Sequence, residues 1–250
     1  MGGADRDHPG DLRRARRGHA FGGGRRRQRV TQRRDRRRDR GPAGAPDALS
    51  AAPPPPPLVV VLTGPSGVGK DALVNRMHER GFLIVRPATM TTRAPRDGEV
   101  DGVHHLFVSH EAFIAAWERG ELLERAEVYG RLYGVPRSAV RAALASGGHV
   151  VIRVDVQGAE TLHRLLPGAL FLALEPSSPE ALRQHLDARG SEAGSEIERR
   201  LALAREEVAR ARAFCTPVTN VEGDIDATVD KVAALIEREA ARPGRRAVAV

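Results

Sequence analysis

LVVVLTGPSGVGKDAL, residues 58–73, joins a short β-branched run to a glycine-rich turn and then to a stretch with helical spacing. An apolar run of this length that ends in glycine suits a fully buried parallel strand. Behind it, Gly64-x-x-x-x-Gly69-Lys70 has the spacing of a phosphate-binding loop, and strand before and helix after are the context that spacing needs. Gly64, Gly67 and Gly69 let the backbone turn tightly enough for its N–H groups to converge on phosphate oxygens at a helix N-terminus. Gly64, Pro65, Ser66, Gly67, Val68, Gly69, Lys70, Asp71 and Ala72 are therefore the expected nucleotide-binding set, with Lys70 reaching the β and γ phosphates. Of 40 basic residues only Lys70 and Lys231 are lysine, so a slim point charge stands where this loop needs one. One position departs from the pattern: Asp71 replaces the Ser or Thr whose hydroxyl meets magnesium. Asp71 is expected to meet the metal directly or through water.

Charge is unevenly distributed. Residues 1–57 hold 15 Arg and 6 Asp with no Lys or Glu, whereas residues 58–250 hold 25 basic and 26 acidic side chains. The body is nearly neutral, and the excess of +8 belongs to the leading segment. That segment is rich in Arg and Gly and poor in anything to bury, so disorder is expected of it. Charge alone gives it a route to nucleic acid, but Phe21 is its only aromatic for base stacking, so nucleic acid is not an expected partner otherwise. The PPPPP run at 53–57 reads as a stiff extended spacer. A single cysteine, Cys215, excludes an internal disulfide and suits a core position in a reducing compartment. No apolar run approaches the roughly 20 residues that span a bilayer, and no secretory core is present near residue 1, so a cytoplasmic protein without a membrane partner is expected.

Further strands are expected at 82–85, 149–156 and 169–176, and helices at 110–119, 136–146, 158–165, 178–188, 194–212 and 225–241. Alternation of this kind predicts an α/β fold with a parallel sheet flanked by helices on both faces.

The acceptor side is legible in TMTTRAPRDGEVDGVHHLFVS, 89–109, where Arg93 and Arg96 beside a Thr pair can hold a phosphate through their forks. TTRAPRDGEVDG, GELLERAEVYG and RVDVQGA, in that order behind GPSGVGK, resemble guanylate kinase across essentially all of 58–240. The resemblance implies a P-loop nucleoside-monophosphate kinase fold that phosphorylates GMP and dGMP with ATP and Mg²⁺, as a monomer or homodimer. It implies a core at 58–87, 148–180 and 212–245, a GMP-binding part at 88–147 and a helical lid at 181–211. Carried over by motif, Thr89, Arg93, Arg96, His105, Glu124, Tyr133 and Asp155 bind the acceptor, with Glu124 on the guanine edge and Asp155 near the metal. Arg93, Arg189 and Arg200 join Lys70 in neutralising the transferring phosphoryl group, and Asn220 sits on the adenine side.

Three residues depart from the family pattern: His105 stands for a tyrosine, Val135 for a small hydroxyl residue near the guanine, and Arg153 for the first acid of a D-x-D pair. The GKDA loop and RVDVQGA strand resemble the branch found in plant organelles and some bacteria. Two rivals stay open: a ribose 1,5-bisphosphate phosphokinase, whose loop also carries GKD, and a guanylate-kinase-like module that binds a phosphopeptide without catalysis. The nucleotide-like acceptor motifs speak against the first, and the intact loop against the second.

Overall fold

The computed structural model describes residues 55–128, 130–187 and 194–250. The chain divides at Ala51/Ala52, and the described residues all belong to the second unit. Most of the leading segment expected to be disordered, and Arg189, lie outside the described residues.

The first strand, β1 (Val59–Thr63), is buried along its whole length. Its side chains alternate between two cores: Val59 and Val61 enter one with Ala159 and Leu162, and Val60 and Leu62 enter the other with Leu73 and Val229. Each such buried aliphatic is worth about 1.5–3 kcal/mol, so a one-residue slip, which would exchange the two faces, is strongly disfavoured. β1 leads through the loop to α1 (Lys70–Glu79), whose Leu73, Val74 and Met77 are buried. With β2 (Ile84–Val85), β7 (His149–Arg153), β8 (Leu170–Glu175) and β9 (Thr216–Thr219), β1 forms a parallel sheet of order β2-β7-β1-β8-β9. The helices α4 (Val156–Leu165) and α7 (Ile225–Ala240) bury their apolar residues in the first and second cores respectively. Cys215 is a buried member of the first core, as expected.

A second sheet, not anticipated from the periodicity, has order β4-β3-β6-β5. It comprises β3 (Thr89–Thr91), β4 (His105–Phe107), β5 (Leu122–Val128) and β6 (Arg131–Pro136). β3 pairs with β4 in parallel and with β6 antiparallel. Between β4 and β5 runs α2 (His110–Glu118), started by Ser109, whose hydroxyl accepts from the Ala112 N–H. The helix α3 (Arg137–Ala145) falls within the part expected to bind GMP, yet its buried Val140 and Ala143 join the first core with Val150 and Ile152. α5 (Pro179–Asp187) and α6 (Gly194–Ala211) occupy the span expected to be a lid, with a small core of Leu182, Leu201 and Ala204. Among the described residues no helix is long and apolar enough to cross a membrane.

Candidate active site

The loop that ends β1 is closed on itself. Lys70 Nζ donates to the carbonyls of Gly64 at 2.6 Å and Pro65 at 3.0 Å, which holds the ammonium over the loop. Gly69 precedes the helix with φ +96°, and a Cβ there would stand 2.9 Å from Asn220 Nδ2. Asn220 Nδ2 donates to the Val68 carbonyl at 3.0 Å, and Asn220 Oδ1 accepts from the buried Thr228 hydroxyl at 3.0 Å. Asn220, expected on the adenine side, does line a cleft of about 730 Å³ with Gly67, Gly69, Ala72 and Gly223. Its amide also latches the phosphate loop to α7.

On the other flank of α1 lies a pocket of about 300 Å³ that contains Arg93, Arg96, His105 and Tyr133, together with Arg86, Glu99, Asp71 and Arg153. Glu99 holds it together. Its two oxygens accept from Arg93 Nη1 and Nη2 at 2.6 Å each, and one also accepts from the Arg96 N–H at 2.8 Å. The Arg93 bonds hold the Glu99 carboxyl down at about 2 and raise the Arg93 guanidinium. Burial, then the charge of Arg93, lowers the pKa of His105, so its ring is neutral near neutral pH. Thr89 and His105 Nδ1 lie 2.7 Å apart, so Thr89 supports the histidine that stands for the family's tyrosine.

Asp71 faces Arg153. Their ion pair ties the first turn of α1 to the end of β7 and engages the carboxylate expected to meet a metal. Val135, one of the three departures, is fully buried in the first core.

A third cleft, about 520 Å³, contains Ser66, Lys70, Tyr133 and Asp155 with Arg199, Glu207 and Arg210 of α6. Tyr133 borders both this cleft and the arginine pocket. Asp155 caps α4 by accepting from the Gly158 N–H at 2.8 Å. Burial raises the carboxyls of Asp155 and Glu207, and the Lys70 charge opposes it in both. Beside them Glu124 is only 1% exposed, and its Oε2 has no hydrogen-bond partner. The register shift between Leu122 and Arg125 turns this charged residue inward from a strand that should alternate. Burial, then the charge of Asp155, pushes Glu124 up to about 8. A Cβ on Gly158 would lie 2.7 Å from Oε2, so only glycine lets α4 approach this carboxylate.

A phosphate loop, an arginine pocket and an acidic cleft around one helix start are the parts of a nucleotide kinase. The protein-family model described as guanylate kinase matches residues 57–239. The chain belongs to the guanylate kinase family. Rice (Oryza sativa subsp. japonica) has a similar protein, "Guanylate kinase 2, chloroplastic/mitochondrial", 43% identical over 189 residues, which are 75% of this chain and 66% of that protein. The guanylate kinase of Synechococcus sp. (strain CC9311) is 43% identical over 160 residues, 64% of this chain and 84% of that one. Among solved structures, the guanylate kinase of Anaplasma phagocytophilum superposes with a TM-score of 0.61 at 28% identity, covering 76% of this chain and 89% of that chain. The resemblance carried by the motifs, and the P-loop kinase fold it implies, are correct.

Within this guanylate kinase site, Arg200 is not among the residues that line the acidic cleft, where Arg199 stands instead. Sequence reasoning does not reach Arg86, Glu99, Glu207 or the Asp71–Arg153 pair. Glu99 belongs to the GEVDG motif, and a carboxylate three residues past Arg96 is a usable signal. Arg86 and Glu207 carry none, because neither belongs to a motif.

Proposed function

We propose that the chain transfers the γ-phosphoryl group of ATP to GMP, giving ADP and GDP, and that it accepts dGMP. Glu124 carries the reading. A buried carboxyl whose Oε2 has no hydrogen-bond partner calls for a ligand that brings N–H donors, and guanine offers two side by side, N1–H and the 2-amino group. Adenine lacks that pair, and a sugar phosphate has no aromatic donor edge at all.

The roles of the remaining residues come from phosphoryl transfer, which needs positioning and charge neutralisation more than covalent chemistry. The loop amides from Gly64 to Ala72 and the Lys70 ammonium hold the triphosphate. Arg93 and Arg96 hold the acceptor's phosphate, with neutral His105 and Thr89 shaping that pocket. Tyr133 borders both clefts and orients the acceptor between them. Glu124 reads the guanine edge, with Asp155 next to it. From α6, Arg199 and Arg210 add positive charge to the cleft, and Arg200 and Arg189 act when the lid closes.

Among the described residues no cluster of three or more His, Cys, Asp or Glu forms a metal cage. Asp155 and Glu207, both desolvated beside Lys70, instead suit a divalent ion that arrives on a nucleotide and takes most of its oxygens from phosphate and water. Magnesium, if bound, would be held by Asp155 and Glu207 and would neutralise charge on the phosphates. Asp71, expected from the sequence to meet the metal directly or through water, pairs with Arg153 in this structure. A cytoplasmic location goes with this reading.

ADP release from ATP and Mg²⁺, measured in a coupled assay, tests the reading against GMP, dGMP, AMP and ribose 1,5-bisphosphate. ADP is expected with GMP and dGMP. Release with the sugar bisphosphate but not GMP would overturn the assignment, and binding of nucleotides with no release would leave a binding module.

A further inference from the structure

The arginine pocket holds more positive charge than the two arginines of the TTRAPR motif supply. Arg86, Arg93, Arg96 and Arg153 bring four positive charges, while Glu99 and Asp71 bring two negative ones, and His105 is held neutral. Two uncompensated charges match a phosphomonoester, which carries about −1.5 to −2 near pH 7. Arg93 is held by Glu99 and Arg96 is exposed, whereas the two additional arginines are partly buried. Arg153 has 14% of its side chain exposed, and its Nε is buried with no hydrogen-bond partner. Among the described residues Arg86 has no hydrogen-bond or ion-pair partner. Burial lowers its pKa, and the charge of Glu99 opposes. Desolvated guanidinium groups left short of partners are costly unless an anion completes them.

Their placement supplies the rest. Arg153 is the last residue of β7 and pairs in register with Leu62 of β1, one residue short of the strand's end. Its Nη1 meets Asp71 in the first turn of α1, the helix whose N-terminus cradles the triphosphate. Arg153 thus shares a pocket with Arg93 while touching the first turn after the donor loop.

We propose that Arg153 and Arg86 form a second pair of phosphate-binding arginines for the acceptor's phosphomonoester, and that Asp71 is the positioning residue that aims Arg153 at it. This deepens the proposed function and rests on its placing of the acceptor phosphate beside Arg93. The residue at 71 then serves the acceptor side, and two of the departures, Asp71 from the phosphate-loop pattern and Arg153 from the D-x-D pair, are one paired change.

Equilibrium binding of GMP and of guanosine to the full chain tests this, with Arg153→Gln, Arg86→Gln, Asp71→Asn and the Asp71→Asn/Arg153→Gln double variant. Each arginine variant is expected to weaken GMP about 10- to 100-fold, the range of one charge-assisted contact, and to leave guanosine within about twofold. Asp71→Asn is expected to weaken GMP about fivefold alone and less than about twofold on the Arg153→Gln background. Equal losses for GMP and guanosine would make the arginines merely structural and overturn the proposal, as would unchanged GMP binding. An Asp71 effect of equal size on both backgrounds would sink the pairing. A wild-type chain that binds neither ligand would overturn the proposed function itself, whereas GMP binding that ignores both arginines overturns this inference alone.

Discussion

Glu124→Gln keeps the shape of a buried side chain and removes its ability to ionise, so it isolates the effect of burial on this carboxyl. Burial and the neighbouring Asp155 raise the group from 4.5 to about 8. Between those values the folded chain keeps a proton that the unfolded chain gives up, so stability falls as pH rises and levels off above the folded value. From these two values the carboxyl contributes about 2.7 kcal/mol at pH 6 and about zero at pH 9. Glutamine cannot ionise, so the variant loses none of this. Its stability relative to wild type should rise by about 2.7 kcal/mol between pH 6 and pH 9. In a chain of this size that is a relative Tm gain of about 5–10 °C. Urea or thermal unfolding of both proteins at the two pH values measures it. The same variant should lose at least about 100-fold in kcat/KM for GMP, since its amide sets a donor against the guanine N–H pair, while KM for ATP holds within about twofold. Stability curves that run parallel for the two proteins would refute a carboxylate desolvated in this way.

Four further outcomes rest on the same geometry. Because guanine needs the ionised Glu124, KM for GMP should fall as pH rises from 6.5 to 8, by up to about tenfold per unit, and the dependence should vanish in Glu124→Gln; a flat wild-type profile contradicts it. Glu99, held near 2 by Arg93, contributes stability that is full above 4.5 and lost as pH falls to 2. Acid titration of stability should therefore lose about 3 kcal/mol of its drop in Glu99→Gln. Asn220→Ala leaves the Val68 carbonyl and Thr228 hydroxyl without their partner, so about 2 kcal/mol of stability should go by urea unfolding, with a higher KM for ATP. Gly158→Ala drives a methyl into Glu124 Oε2 and should weaken GMP in a binding titration while leaving ATP binding unchanged.

The parallel sheet was legible because β1, β7 and β8 are buried on both faces and read as continuous apolar runs. The second sheet was not. Its strands β3 and β4 are three residues each, and β5 carries Glu124 at a bulge, which breaks the alternation that would have marked it. The loop and the TTRAPR arginines could be read as motifs, because their chemistry is local in the chain. Arg86 could not, since it stands between β2 and β3 and belongs to no motif. Arg153 was visible only as a departure, and its partner Asp71, 82 positions earlier, as another. β7 and the start of α1 are adjacent in space, which turns two apparent defects into one ion pair.

Guanine reading is tested most directly by kcat/KM for GMP against AMP, with ATP and Mg²⁺ saturating. A site that reads the guanine N–H pair through a buried carboxylate should prefer GMP by about 10⁴-fold or more, because the wrong base leaves that carboxylate unpaired. A ratio within about tenfold would contradict a guanine-reading site.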